Sequence, residues 1–289
     1  MKLQKAQRHQ VKLRLGLSGA SGFGKTYSAL LLAYGITQDW TKIAIIDTEN
    51  KSASLYSHLG DYNILNLEAP FNPERFIKAI ETCELSQIEV IVIDSITHEW
   101  QGKGGCLELH EQLGGKFQDW GKISPRHQAF IDKILNSNCH VITTVRRKID
   151  YSMDSDMNGK SKVVKHGTKE ITREGFEYEL TVNFEVINEK HLTKVSKDRT
   201  GLFSGKPEFI INSATGKRLI QWCNQGISLD KIKEEIMSCE TSDSLKIIYN
   251  QYPNFATEIY PLILSRKEIL DNSIIQLINE NVIINPKNS

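Results

Sequence analysis

Short apolar runs, each closed by glycine or polar residues, recur through the first half of the chain and alternate with stretches of three-and-four spacing. Residues 11–17, KIAIID (42–47), YNILNL (62–67) and EVIVID (89–94) are too short for helices and rich in β-branched residues, and they predict buried strands. Between them, 26–36 and NPERFIKAIETCEL (72–85, with Pro73 in its first turn) predict helices. A further helix is predicted at about 124–137, and CHVITTV (139–145) is the next strand. This alternation implies an α/β core with a mostly parallel sheet covered on both faces. The pattern then changes. Residues 177–198 contain two alternating runs joined at Asn-Glu-Lys, an antiparallel hairpin extending the sheet. After Trp222 three segments return to helical spacing, so a core over 1–225 and a helical domain over 226–289 are expected. Residues 150–169 are polar and poor in apolar positions, which predicts a loop.

The most specific chemistry lies between the first strand and the first helix. Gly19, Ala20, Ser21, Gly22, Phe23, Gly24, Lys25 and Thr26 match the spacing of a phosphate-binding loop in full, and Tyr27 continues into the helix. Backbone N–H groups would cradle the phosphates of ATP, Lys25 would reach the β/γ oxygens and Thr26 would ligate Mg2+. EVIVID ends in Asp94, which places a second carboxylate beside the loop to hold the Mg2+ through water. AIIDTEN holds a strand ending in Asp47-Thr48-Glu49, and Glu49 is suited to polarise a water attacking the γ-phosphorus. The alternative is that Glu49 caps the following helix. A small-molecule kinase fits less well, because its acceptor is not water.

Composition narrows the setting. The five cysteines of the 289 residues are odd in number and never form a Cys-x-x-Cys pair, which fits a reducing compartment. His98, Cys106 and His110 make a weak metal set with no fourth partner. No signal peptide is evident, and no apolar run approaches the roughly 18 residues of a membrane span, so a cytoplasmic protein with no membrane partner is expected. The net charge of +1 excludes a generally basic nucleic-acid coat. Local clusters must then supply any nucleic-acid contact. Residues 146–173 hold eight basic residues, among them Arg146, Arg147, Lys148, Lys160, Lys162 and Lys165, against four acidic ones, a net of +4. With Tyr151 available for stacking, this segment suits single-stranded DNA; the alternative is a solvated loop.

Taken together, these residues resemble the RecA superfamily of recombination ATPases. There, a strand ending in Asp-x-Glu carries the catalytic glutamate, matched by Glu49, and a strand ending in Asp-Ser carries the magnesium aspartate, matched by Asp94-Ser95. The wider pattern, with HEWQGKGGCLELHE, RHQAFID, TTVRRK, EGFEYELTVNFE and SKDRTGLF, is similar to phage-encoded RecA-like, AAA-family ATP-binding proteins, some of them Sak-type single-strand annealing proteins. The resemblance implies a RecA-like P-loop NTPase core, a DNA-contacting loop after the 139–145 strand and a second DNA loop bracketed by Trp100 and Trp120. Those two tryptophans are equally compatible with the core. It also implies that Lys197 and Arg199 cross to a neighbouring subunit's γ-phosphate. In RecA-type recombinases the 139–145 strand ends in a sensor glutamine. Thr143 and Thr144 stand there in this chain, with Thr144 the remaining candidate for a nucleotide contact and a shorter reach.

The expected function is ATP hydrolysis, DNA-stimulated, by a protein that binds single-stranded DNA, self-assembles as a filament or ring and promotes phage recombination or strand annealing in the bacterial host. The alternative is a nucleotide-dependent regulatory or loader module that acts on a protein partner in phage replication without touching DNA. The C-terminal helices are open to binding a single-strand-binding protein, packing on a neighbouring subunit or completing the fold.

Overall fold

The computed structural model describes residue 8 and residues 11–155, 161–225 and 228–283; for 151–155, 161–166, 254 and 273–283 it describes the backbone alone. Among the described residues nine strands form: β1 (Arg14–Gly19), β2 (Ile43–Asp47), β3 (Asn63–Asn66), β4 (Val90–Asp94), β5 (His140–Ser155), β6 (Ser161–Glu170), β7 (Val182–Val186), β8 (Leu192–Asp198) and β9 (Phe209–Ile210). They are joined in the order β3-β2-β4-β5-β1-β7-β8-β9, with β6 paired to β5. Every pairing from β3 to β7 along this order is parallel, and β8 and β9 are antiparallel additions.

The continuous apolar runs are explained by burial on both faces. Every residue of β1, β2 and β4 is buried, so no alternation survives in their sequences. One side packs on α2 (Pro73–Leu85) and α5 (Trp120–Asn136), whose Phe76 and Phe130 rings meet at 5.3 Å between centroids. Asn72 caps α2 by accepting from the Arg75 N–H at 3.1 Å. α1 (Lys25–Thr37) is likewise apolar over most of its surface and contacts β1, β4 and β5. Smaller helices follow β4, namely α3 (Thr97–Gln101) and α4 (Cys106–Gln112), while α6 (Phe176–Glu179) precedes β7 and α7 (Ser213–Cys223) follows β9.

Two expectations change. Residues 177–179 belong to α6, which starts after Gly175 in the left-handed region (φ 94°), and the hairpin's first strand begins only at Val182. That strand is also parallel to β1 before pairing with β8. In the segment 150–169, β5 runs on to Ser155 and pairs with β6 from Arg147↔Glu170 to Ser155↔Ser161. A two-stranded ribbon is held by its own backbone ladder and by cross-strand pairs, here Lys169 with Asp150 at 2.8 Å, and needs no apolar period to form.

The chain divides into two compact units, residues 12–219 and a second comprising the described residues before Lys12 and from Ile220 onward. The second contains α8 (Leu229–Ser238), α9 (Ser242–Gln251) and α10 (Ala256–Ile283), with a core of Ile232, Ile236, Leu245, Ile248, Ile259 and Ile263. Ser228 and Thr241 cap α8 and α9. The expected boundary at 225/226 falls within this second unit, and Gly226 lies outside the described residues. All five cysteines are buried thiols, and no described helix is long and apolar enough to cross a membrane.

Candidate functional site

Parallel pairing brings the C-terminal ends of β1, β2, β4 and β5 to one edge, with Gly19 opposite Arg146 and Asp47 opposite Asp94. The turn from β1 to α1 closes there over a cleft of about 410 Å³. Gly22 and Gly24 take φ of 81° and 85°, the left-handed region that glycine enters without a Cβ penalty. Gly24 is required twice over, because a Cβ there would lie 2.3 Å from Nδ1 of His191, which is itself 2.8 Å from the Phe23 carbonyl. α1 starts with no side-chain cap and no acidic residue in its first turn, which leaves its N–H groups for an anion. Lys25 Nζ donates to the Ala20 carbonyl at 2.8 Å. Burial holds the Lys25 ammonium below its ordinary pKa, against Asp94 and Glu49, which raise it.

Thr26 Oγ1 donates to Asp94 Oδ2 at 2.6 Å, and Thr144 Oγ1 donates to Asp94 Oδ1 from the other side. Burial pushes the Asp94 carboxyl up; the hydrogen bonds from Thr144 and Thr26 and the Lys25 charge oppose it. A hydroxyl and a carboxylate presented together at the start of α1 form a hard-oxygen pair that fits Mg2+.

β2 delivers Glu49 through a turn that Asp47 builds. Asp47 accepts from the Glu49 N–H at 2.6 Å and from the Ala53 N–H at 2.8 Å, so capping of the following turn falls to Asp47 rather than Glu49. Thr48 ties this turn to β4, since its N–H donates to the Asp94 carbonyl at 2.8 Å and its hydroxyl accepts from the Ser95 N–H at 2.8 Å. Glu49 is left with its carboxylate in the cleft, where it accepts from Ser95 Oγ at 3.1 Å, from Arg146 Nε at 2.9 Å and from Arg146 Nη2.

The remaining candidates are distributed differently from the sequence expectation. Arg146, expected on DNA, lines the cleft at the phosphate loop. Arg147 is built into the sheet edge by Glu170 at 3.4 Å, Glu185 at 3.6 Å and the Thr168 hydroxyl at 3.0 Å. Lys160 lies outside the described residues, while the backbones of Lys162 and Lys165 pair with Asp154 and Tyr151 in the ribbon. Thr143 donates to the Leu15 carbonyl at 3.3 Å and Thr144 stands behind Asp94, so neither is among the residues lining the cleft. Lys197 Nζ is 2.9 Å from the Glu177 carbonyl, and both it and Arg199 donate to the Tyr178 carbonyl.

His98, Cys106 and His110 are not brought together. His98 Nδ1 meets Thr48 Oγ1 at 2.7 Å and His110 Nε2 meets the Lys116 carbonyl at 2.9 Å. Cys106 instead donates to buried Glu99 at 3.1 Å, and Glu99 also bonds His127 Nδ1 at 3.0 Å. Burial pushes the Cys106 thiol up, so this trio ties α3, α4 and α5 by hydrogen bonds. Trp100 and Trp120 stack at 5.6 Å between ring centroids. They line a second, larger groove of about 940 Å³ together with Phe117, Lys148, Lys169 and Arg173.

Sequence reasoning did not single out Ser52, Tyr56 and His191, which also line the cleft. Their signal was positional: each follows a strand whose end faces the phosphate loop. Comparison with curated proteins gives no match. A family model described as an AAA domain matches residues 11–230, which takes in every strand of the sheet and the whole cleft. The match covers most of the chain, and the protein therefore belongs to this AAA-domain family of P-loop ATPases.

Proposed function

We propose that this chain is a Mg2+-dependent ATPase that works on single-stranded DNA, in the manner of the phage-encoded RecA-like recombination and annealing proteins it resembles. The observation that carries hydrolysis is the placement of Glu49 in the same cleft as Lys25 and the Thr26–Asp94 pair. Lys25 and the N–H groups of α1 hold the phosphates, and the Glu49 carboxylate orients water and accepts its proton. A bound Mg2+ would be held by Thr26 and Asp94 and would supply positive charge against the phosphate oxygens.

What supports a DNA role is the second groove. Stacked Trp100 and Trp120 and a Phe117 that is 93% exposed stand beside Lys148, Lys169 and Arg173, which combines flat rings for bases with cations for the backbone. Self-assembly enters through Lys197 and Arg199, whose reach to a neighbour's phosphate completes the charge around the transition state. The test is the ATP turnover rate with and without single-stranded DNA, paired with a direct DNA-binding titration. Stimulation together with binding is expected.

The regulatory or loader reading has one observation in its favour. Lys169 is paired with Asp150 and Arg147 with Glu170 and Glu185, which reduces the charge that the ribbon offers to phosphates. Turnover unaffected by DNA, with no DNA binding, would select it.

A further inference from the structure

Arg146 is held at three points. Its N–H donates to Thr97 Oγ1 at 2.9 Å, its carbonyl accepts from the Ile171 N–H at 2.8 Å, and its guanidinium grips Glu49 through Nε at 2.9 Å and through Nη2. The main chain is therefore fixed where β5 leaves the sheet for the ribbon, while the side chain spans into the cleft beside Lys25, Thr26 and Asp94. The side chains of Arg146 and Glu49 keep 39% and 21% of their exposure, so the pair can open by side-chain rotation alone. A guanidinium fork suits a phosphate as well as it suits a carboxylate. With Ser95 Oγ also donating to Glu49, both oxygens of the carboxylate that must accept a proton from water are engaged by side-chain donors, and the positive guanidinium lowers its basicity.

Resting on the reading of this cleft as an ATP-hydrolysing site, we propose that Arg146 exchanges partners. It binds Glu49 in the empty cleft and the terminal phosphate of ATP in the filled one, so that the substrate whose hydrolysis needs Glu49 is also what releases it. ADP lacks the competing phosphate and leaves the ion pair closed. The exchange gives Arg146 a positioning role for Glu49 and makes the cleft selective for the triphosphate, because a ligand shifts an equilibrium only through unequal affinity for its two states.

The test reads binding rather than turnover. Dissociation constants for ADP and for a non-hydrolysable ATP analogue are measured by calorimetry on the full chain. Arg146→Gln should weaken the analogue about tenfold, which is about 1.4 kcal/mol, and change ADP by less than about twofold. Glu49→Gln should tighten the analogue, and most of that gain should vanish when Arg146→Gln is also present, because it comes through the freed guanidinium. A gain of equal size in both backgrounds would mean that only charge repulsion was relieved, and the exchange is then wrong. Equal weakening of both nucleotides by Arg146→Gln overturns it as well. Arg146→Lys keeps the charge and loses the fork, and it should show the same selective loss at smaller size if the glutamine variant does not fold. Lys25→Ala separates the two levels, since it should weaken both nucleotides; if it weakens neither, the cleft is not the nucleotide site at all.

Discussion

Thr26 Oγ1 donates to Asp94 Oδ2 at 2.6 Å, which joins the last residue of the phosphate loop to the end of β4. Asp94 is 2% exposed and its carboxyl is pushed up by burial. The folded chain thus holds the Asp94 proton to higher pH than the unfolded chain does, and ionising the site costs stability as pH rises through that interval. Asp94→Asn removes this cost. The variant should match or exceed the parent in Mg2+-free thermal stability, by about 2–4 °C per kcal/mol gained. Its melting temperature should no longer rise on adding Mg2+ with nucleotide. Thermal shift with and without Mg2+ checks both, and a preserved Mg2+ increment would remove Asp94 from the cation site.

Glu49→Gln keeps the size of the side chain and loses its charge and proton affinity. Turnover should fall by about 10²–10⁴, while ADP binding stays within about twofold of the parent. Lys25→Ala should lose binding as well as turnover. Near-normal hydrolysis by Glu49→Gln would leave the chemistry to another group in the cleft.

The gathering of these side chains in one cleft was legible in the sequence, Glu49 and Asp94 from the ends of short apolar runs and Lys25 and Thr26 from the spacing of the phosphate loop. Arg146 was not, because a charge count over 146–173 treats a strand end and a ribbon alike. β5 lies next to β1, and its residue opposite Gly19 faces the phosphate loop whatever its charge. The ribbon itself was hidden because its pairing of β5 with β6 is a backbone ladder, which leaves no apolar period to read. Asp47 looked like one more acid in Asp-Thr-Glu, and only its bonds to the Glu49 and Ala53 N–H groups give it the capping role.

Phe117 offers a clean probe of the groove. At 93% exposed it contributes almost nothing to the core, so Phe117→Ala should leave thermal stability unchanged. If bases stack on it, single-strand affinity should fall by about 1–3 kcal/mol. Neutralising Lys160, Lys162 and Lys165 should act differently, flattening the log–log salt dependence by about 0.7 per lost phosphate contact and sparing ATP binding. Fluorescence anisotropy across a salt series separates the two, and an unchanged slope removes those lysines from the DNA contact.

His140 sets an acid limit. It is 7% exposed, accepts from the Leu13 N–H through Nδ1 at 3.0 Å, and has its pKa lowered from 6.5 to about 3 by burial and by Lys12 and Arg14. The unfolded chain binds this proton first. Its contribution is therefore complete above about pH 6.5 and is lost progressively as pH falls toward 3. Denaturant midpoints should drop across that window, and His140→Asn, which stays neutral, should flatten the decline even if it lowers stability at neutral pH. An identical slope in both proteins would assign the acid sensitivity to other groups.

Lys197 and Arg199 converge on one acceptor, the Tyr178 carbonyl, although acids are near. Asp198 is engaged by the N–H groups of Thr200 at 2.7 Å, Phe203 at 2.8 Å and Ser204 at 3.0 Å, and Glu185 by Arg147 and Lys194. Both cations thus rest on neutral main-chain oxygens, which a phosphate can outcompete because it adds charge–charge attraction to the hydrogen bond. If they serve a neighbouring subunit's cleft, turnover per subunit should rise with protein concentration as the oligomer forms. Arg199→Ala should abolish hydrolysis and leave the affinity of the isolated subunit for nucleotide unchanged. Mixing Arg199→Ala with Lys25→Ala should then restore part of the activity, because an intact phosphate loop on one subunit meets an intact Arg199 on the next. A mixture as inactive as its parts, with a rate per subunit that stays flat on dilution, would confine hydrolysis to the single chain and leave Arg199 as a brace for the end of α6.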